Sequence, residues 1–175
     1  LVDAPVARTR AAAEAGTLAV FVGATPELFE QVRPLIATFA ADIALCGPVG
    51  CGQVLKILNN MMLFEHVVAL SEAKNIGERA GVDPKVLFAT LTQGSADSFA
   101  LRNHGMKAVL PGDFPERAFS VKYAQKDLHY ALQLADETGV DARGAKIVDE
   151  WFNKAIAQGD GEKYHPVIST LMAKS

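Results

Sequence analysis

The sequence predicts a mainly α protein, with a short α/β segment at residues 1–48 before an all-helical domain at residues 49–175. Up to about Gly47, short apolar runs bounded by glycines alternate with one helical pattern. After Gly52, almost every apolar pattern has helical spacing. At 175 residues, the chain is long enough for one ordinary core, or for one domain and part of another.

The α/β segment contains two predicted strands on either side of a helix. The run Thr17–Gly23 reads as a buried strand, and 43–46 reads as a second short one. Between them, Thr25 is a predicted N-cap before Pro26, and helical spacing extends over 26–40. Two or three strands do not close a sheet and core alone, so we expect the end of a sheet whose earlier part is absent. The chain begins at Leu1 rather than Met, so we expect a processed or truncated product.

The helical domain begins with an unusually long predicted helix, residues 53–80, which ends before Gly81. It is apolar on much of its circumference, which predicts a central, buried helix. Asp83 is a predicted N-cap for the next helix. Further helices are expected over 84–93, 98–109, 119–138, 143–158 and 166–173.

Composition argues against several classes of protein. The net charge is −3 and the basic residues are scattered, so no nucleic-acid surface is expected. No uninterrupted apolar run reaches the roughly 18–20 residues of a membrane span, so we expect no membrane partner. Cys46 and Cys51 are expected to be reduced thiols of a cytoplasmic protein. The four histidines have no paired spacing, so no metal site is expected.

The segment most suggestive of chemistry runs from Gly47 to Asn60 and reads GPVGCGQVLKILNN. Three glycines lead into the long helix, where backbone can approach a ligand closely. Lys56 and Asn60, at i and i+4, lie on one face of that helix. A lysine held in apolar surroundings has a lowered pKa, which suits it to proton transfer. A lysine that extends to water is the structural alternative.

These glycines are not ordered like a dinucleotide-binding fingerprint, G-x-G-x-x-G, which belongs to a strand–helix–strand unit. We expect no such unit in this chain.

The pattern G-x-x-G-x-G-x-x-x-K-x-x-N-N resembles the catalytic segment of the β-hydroxyacid dehydrogenase family, which includes 3-hydroxyisobutyrate dehydrogenase and tartronate semialdehyde reductase. Two more segments are similar to that family, in the same order. Asp3-Ala-Pro-Val, followed by Gly16-Thr-Leu, resembles its substrate-binding signature, D-A-P-V-S-G-G-x-x-G-A-x-x-G-T-L. Phe119-x-x-x-Tyr-x-x-Lys126-Asp-Leu resembles its F-x-x-x-L-x-x-K-D-L segment.

The resemblance implies an NAD- or NADP-dependent oxidoreductase acting on a small 3-hydroxy acid or semialdehyde. Lys56 would be the acid/base, and Asn60 would assist it by orienting the substrate. Lys126 and Phe119 would lie beside the cofactor. The fold implied is the 6-phosphogluconate dehydrogenase C-terminal-like type, preceded by a remnant of a Rossmann-type domain. The long apolar helices suggest a homodimer or homotetramer.

The sequence departs from the family signature where S-G-G is replaced by Ala7-Arg8-Thr9. The serine hydroxyl that would hold a substrate carboxylate is lost. Arg8, or alternatively Arg10, would then supply a guanidinium, with Thr9 as a lesser donor. The alternative interpretation is that both arginines are ordinary charged residues of a loop.

Two alternatives to the enzyme remain at this stage. One is a non-catalytic dimerisation or binding module derived from the same fold; the retained Lys56 and Asn60 argue against it, and the lost serine argues weakly for it. The other is an imine reductase-type relative, but such proteins typically replace the lysine that this chain keeps.

Overall fold

The computed structural model describes Leu1–Met172 and divides the chain into two compact units, Leu1–Asn59 and a second that begins at Asn60. The last three residues of the predicted domain 49–175 lie outside this range. Most of the described residues are helical, and the strands are confined to the first unit. The coarse prediction of a mainly α chain with a small α/β part is confirmed.

The first unit has a three-stranded sheet in the order β1-β2-β3. β1 (Val6–Ala7) is antiparallel to β2 (Leu18–Gly23), and β3 (Ala40–Gly47) is parallel to β2. α1 (Arg10–Glu14) connects the first two strands, and α2 (Pro26–Ile36) connects the second pair. The apolar core lies between the sheet and α2 and consists of Val20, Val22, Ala24, Phe29, Ile36 and Ala40.

Two predictions for this unit are wrong. β2, α2 and β3 do form a parallel strand–helix–strand unit, although the turn after β2 reads Gly-Ala-Thr-Pro and lacks the fingerprint glycines. The helix predicted over 26–40 ends at Ile36, because Ala40 already pairs with Leu18 as the first residue of β3. The Thr25 cap is confirmed: its hydroxyl accepts a hydrogen bond from the Leu28 amide at 3.4 Å.

The second unit is helical. It contains most of α3 (Cys51–Arg79), then α4 (Pro84–Leu91), a π-helix (Leu101–Val109), α5 (Val121–Thr138), α6 (Arg143–Ala157) and a 3₁₀ helix (His165–Leu171). Its main core is formed by α3, α5, α6 and the 3₁₀ helix and consists of Phe64, Val67, Val68, Val121, Ala124, Leu128, Ala145, Val148, Phe152, Ala155, Val167 and Ile168.

The boundary between the units falls inside α3, whereas the sequence predicts it after residue 48. The reason is the first turn of α3, which packs against the sheet. A Cβ added to Gly52 would lie 2.4 Å from the Phe21 carbonyl oxygen of β2. The start of the helix therefore belongs to the α/β unit.

α3 is less buried than its composition predicts. Val54, Leu55, Met62 and Ile76 are exposed large apolar side chains on it. By length and composition the helix could also cross a membrane, as could the core helices of many soluble proteins. Asn60, in contrast, is only 3% exposed, so part of the helix is packed within the protein.

Two neighbouring histidines lie in the interior of the second unit. His165 is fully buried among aromatic rings, with the Phe64 and Tyr164 centroids each 5.1 Å away, and neither ring nitrogen has a hydrogen-bond partner among the described residues. His104 is bonded through Nδ1 to the Tyr164 hydroxyl. Burial lowers the pKa of His104 to about 4 and that of His165 well below its usual value.

We expect this pair to make the fold acid-sensitive. Because the folded-state pKa values lie below the unfolded value of about 6.5, the unfolded chain binds more protons as the pH falls, so stability is full above that pH and is lost below it. Each histidine contributes a slope of up to about 1.4 kcal/mol per pH unit between its two pKa values. Urea unfolding at pH 7 and pH 5 measures the loss.

Carboxylates also titrate in this range, so the informative quantity is the difference between wild type and His104→Asn, which retains a polar atom near Nδ1. The variant is expected to lose less stability between pH 7 and pH 5 than the wild type. His66→Gln, at an exposed position on α3, is the control. Equal losses in wild type and His104→Asn would contradict the assignment.

Candidate active site

The first unit holds a carboxylate at the start of the helix that carries Lys56. Oδ1 of Asp3 accepts a hydrogen bond from the Gly50 amide at 2.6 Å, and Oδ2 accepts one from the Gln53 amide at 2.9 Å. These amides belong to the first turn of α3, where backbone N–H groups lack partners within the helix. Asp3, predicted as part of a substrate-binding signature, therefore caps the helix.

Lys56 is half-buried on α3, one turn beyond the capped residues, and Asn60 follows one further turn along. Lys56 and Asn60 thus lie at positions i and i+4 of one continuous helix, as the sequence predicts. Asn60 is buried at the start of the second unit.

In the second unit, one carboxylate bonds two of the predicted site residues. Oδ2 of Asp127 accepts a hydrogen bond from Asn60 Nδ2 at 2.8 Å, and Oδ1 lies 2.9 Å from Lys126 Nζ. The hydrogen bond and charge of Asp127 raise the pKa of Lys126. Asp127 itself was not predicted as a site residue. Its position in the Lys-Asp-Leu segment was the available signal, but the partnership with Asn60 spans 67 residues and is not visible in sequence.

Phe119 is connected to Lys126 through Tyr123 and also packs against the buried rings of Phe64 and His165, whose centroids lie 5.7 and 5.4 Å away. The Phe119 and Tyr123 ring centroids lie 5.5 Å apart, and Lys126 Nζ lies 4.3 Å from the Tyr123 ring centroid. Tyr123 is 57% exposed, so this cation–aromatic surface is open to a ligand. Tyr123 is a second residue that the sequence reasoning missed.

Arg8 and Thr9 have intramolecular partners in the first unit. The guanidinium of Arg8 pairs with the Asp42 carboxylate and donates to the Thr17 carbonyl oxygen at 2.8 Å. The Thr9 hydroxyl caps α1 by accepting from the Ala12 amide at 3.3 Å. Arg8 also has φ +86°, a left-handed conformation that glycine adopts without steric cost. This position is glycine in the family signature.

Among residues 1–172, no cluster of three histidine, cysteine, aspartate or glutamate side chains has the arrangement of a metal site. Both cysteines are free thiols.

Comparison with known families identifies the class of protein that this fold and these residues define. Residues 50–171 match the family model described as NAD-binding of NADP-dependent 3-hydroxyisobutyrate dehydrogenase. Residues 1–47 match the NAD binding domain of 6-phosphogluconate dehydrogenase. The chain therefore belongs to the 3-hydroxyisobutyrate dehydrogenase family of β-hydroxyacid dehydrogenases, and the predicted resemblance is confirmed.

Two dehydrogenases or reductases match this chain over most of its length. The chain is 32% identical to 2-(hydroxymethyl)glutarate dehydrogenase of Eubacterium barkeri over 93% of its own length and 54% of that protein. It is also 32% identical to 2-hydroxy-3-oxopropionate reductase of Escherichia coli, covering 95% of this chain and 56% of the relative. The chain thus spans about half the length of these relatives.

A solved structure of 3-hydroxyisobutyrate dehydrogenase from Mycobacterium tuberculosis with L-serine matches the fold with a TM-score of 0.85 and 29% identity, covering 98% of this chain and 61% of that one. The structure of 3-hydroxyisobutyrate dehydrogenase from Salmonella typhimurium matches with a TM-score of 0.86 and 23% identity. The match covers 98% of this chain and 60% of that one, and at this identity it supports the fold alone.

We expect Asp127→Ala to destabilise the second unit by about 1–3 kcal/mol, because it removes the acceptor of a hydrogen bond from the buried Asn60 amide. Urea unfolding measures the change. Asp136→Ala removes an exposed carboxylate from the same helix and is expected to have an effect below about 0.5 kcal/mol. Equal effects for the two substitutions would contradict a structural role for the Asn60–Asp127 bond.

Proposed function

We propose that this chain is the C-terminal part of an NAD(P)-dependent oxidoreductase that interconverts a small 3-hydroxy acid and its carbonyl form, with Lys56 as the acid/base. The observation that carries the proposal is the arrangement of Lys56 and Asn60 on one helix, with Asn60 held by Asp127 and Asp127 also bound to Lys126. Family membership supports the reaction class. The reductase relative acts on 2-hydroxy-3-oxopropionate, a small semialdehyde acid.

The surface formed by Phe119, Tyr123 and Lys126 fits one end of a nicotinamide cofactor. An exposed ring offers a stacking face, and the ammonium next to it offers a charge for an anionic or amide group. Lys126 and Phe119 are therefore the residues proposed to hold the cofactor, either NAD or NADP. When bound, the cofactor supplies the hydride acceptor or donor.

The chain's own residues supply binding and proton transfer. The carboxamide of Asn60, oriented by Asp127, would hydrogen-bond the substrate carboxylate or hydroxyl. In the oxidative direction, neutral Lys56 accepts the hydroxyl proton at Nζ while the carbon loses hydride and a carbonyl forms. In the reductive direction, the Lys56 ammonium returns that proton to the carbonyl oxygen. Arg8, with Thr9, is proposed to bind the substrate carboxylate.

Further properties of the whole protein are part of the same proposal. The helical domain is proposed to be of the 6-phosphogluconate dehydrogenase C-terminal-like type, and the protein is proposed to be a cytoplasmic homodimer or homotetramer. The exposed apolar side chains of α3, which include Leu55 at 42% and Met62 at 52%, support oligomerisation because burying them would be favourable.

We expect Lys56→Ala to lower kcat by at least about 100-fold in the full-length protein, because the proton has no positioned donor or acceptor. Lys56→Arg retains the charge but does not release a proton near neutral pH, so kcat should stay low. Lys74→Ala, which removes a lysine further along the same helix, is the matched control. Steady-state oxidation of 3-hydroxy acids with both cofactors provides the measurement, and a kcat within about twofold of wild type for Lys56→Ala would overturn the assignment.

We expect Arg8→Ala to raise KM for the acid substrate by about tenfold or more with little change in kcat, because a charge-assisted hydrogen bond contributes roughly 1.5–3 kcal/mol to binding. Asp42→Ala removes the competing partner of Arg8 and should leave KM equal or lower. Arg10→Ala tests the alternative guanidinium. An unchanged KM in Arg8→Ala would exclude substrate binding by this side chain.

A further inference from the structure

Asp3 is held in place from both its backbone and its side chain. Its amide donates to the Gly23 carbonyl at 3.1 Å, and its carbonyl accepts from the Gly23 amide at 2.8 Å, so its main chain is fixed at the end of β2. Its carboxylate then reaches the Gly50 and Gln53 amides. One residue thus joins the sheet to the start of α3.

This cap differs from the others in the molecule. Helices α1, α2, α4 and α5 are capped by the residue immediately before them, namely Thr9, Thr25, Asp83 and Ser120. The residue before α3 is Gly50, which has no side chain to offer. A carboxylate from 47 residues earlier in the chain replaces the local cap. Its negative charge also lies at the positive end of the helix dipole.

The Asp3 carboxylate occupies space that side chains at Gly23 and Gly52 would otherwise fill. A Cβ on Gly23 would lie 2.1 Å from Asp3 Oδ1, and a Cβ on Gly52 would lie 2.5 Å from Asp3 Oδ2. The lack of a side chain at both glycines therefore leaves room for the Asp3 carboxylate to reach α3. The third glycine, Gly50, has φ +101°, which lets the chain enter α3 with its amide directed to the carboxylate.

We propose that Asp3 is a positioning residue for Lys56: by fixing the first turn of α3 against β2, it sets where the lysine ammonium lies. Lys56 follows the bonded Gln53 by one turn, so movement of that turn is transmitted to it. Displacement of a reacting group by about 1 Å lowers a rate by roughly 100-fold. The inference rests on the proposed function of Lys56 and assigns the aspartate of the substrate-binding signature to the helix rather than to the substrate.

In the full-length protein, hydrogen exchange reports on the first turn of α3, and steady-state kinetics report separately on the reaction. In Asp3→Ala, hydrogen exchange of the Gly50 and Gln53 amides should be about fivefold faster or more, while amides in the middle of α3 stay unchanged. In the same variant kcat should fall about tenfold or more with KM within about twofold. Asp3→Asn, which keeps one acceptor oxygen, should give intermediate values for both and serves if Asp3→Ala does not fold.

Glu30→Ala removes an exposed carboxylate from the same unit and is the control. A rise in KM with unchanged kcat and exchange would make Asp3 a substrate ligand and overturn the proposal. Unchanged exchange, or faster exchange with unchanged kcat, would also overturn it. If Lys56→Ala itself retained full activity, the acid/base assignment would be the failed step, and the exchange data would still report the cap.

Discussion

The pair of hydrogen bonds from the first turn of α3 to Asp3 is the constraint on which the candidate site depends. α3 is the element that carries both Lys56 and Asn60, and its starting turn is fixed by a side chain from another part of the first unit. Fixing a helix at its end restricts translation along its axis as well as rotation about it. Both motions would displace Lys56, which lies one turn beyond the bonded Gln53.

In the second unit, one carboxylate likewise makes two polar contacts. Asp127 is 16% exposed in its side chain and bonds a buried amide with one oxygen and an ammonium with the other. A buried amide without such a partner would be costly, so the bond favours one orientation of the Asn60 carboxamide. The surrounding core is mostly apolar. Its buried polar residues include Ser71, Ser169 and the histidine pair, and burial keeps the two histidines neutral at ordinary pH.

Helix caps and other features that depend on residues close together in the sequence could be predicted from it. Features that depend on contacts between residues far apart in the sequence could not. Thr25 and Asp83 cap their helices as expected, because each cap oxygen and the amides that donate to it lie within three residues. α2 ends early because of strand pairing, and the Asp3 cap and the Asn60–Asp127 bond join residues 50 and 67 positions apart. The family motifs predict Lys56, Asn60 and Lys126 as site residues, whereas the contacts of Asp127 and Tyr123 with them are visible only in the structure.

Arg8 illustrates how a departure from the family signature can be interpreted. A non-glycine residue in this left-handed conformation costs roughly 1 kcal/mol or more, and an exposed ion pair such as that with Asp42 returns roughly 0–1 kcal/mol. The hydrogen bond from the guanidinium to the Thr17 carbonyl oxygen contributes roughly 0.5–1.5 kcal/mol more, so the intramolecular contacts are comparable in size with the strain. The position is glycine in the family signature and directly follows the serine position, which is Ala7 in this chain. The lost serine is therefore the observation on which the proposed role of Arg8 in binding a substrate carboxylate rests.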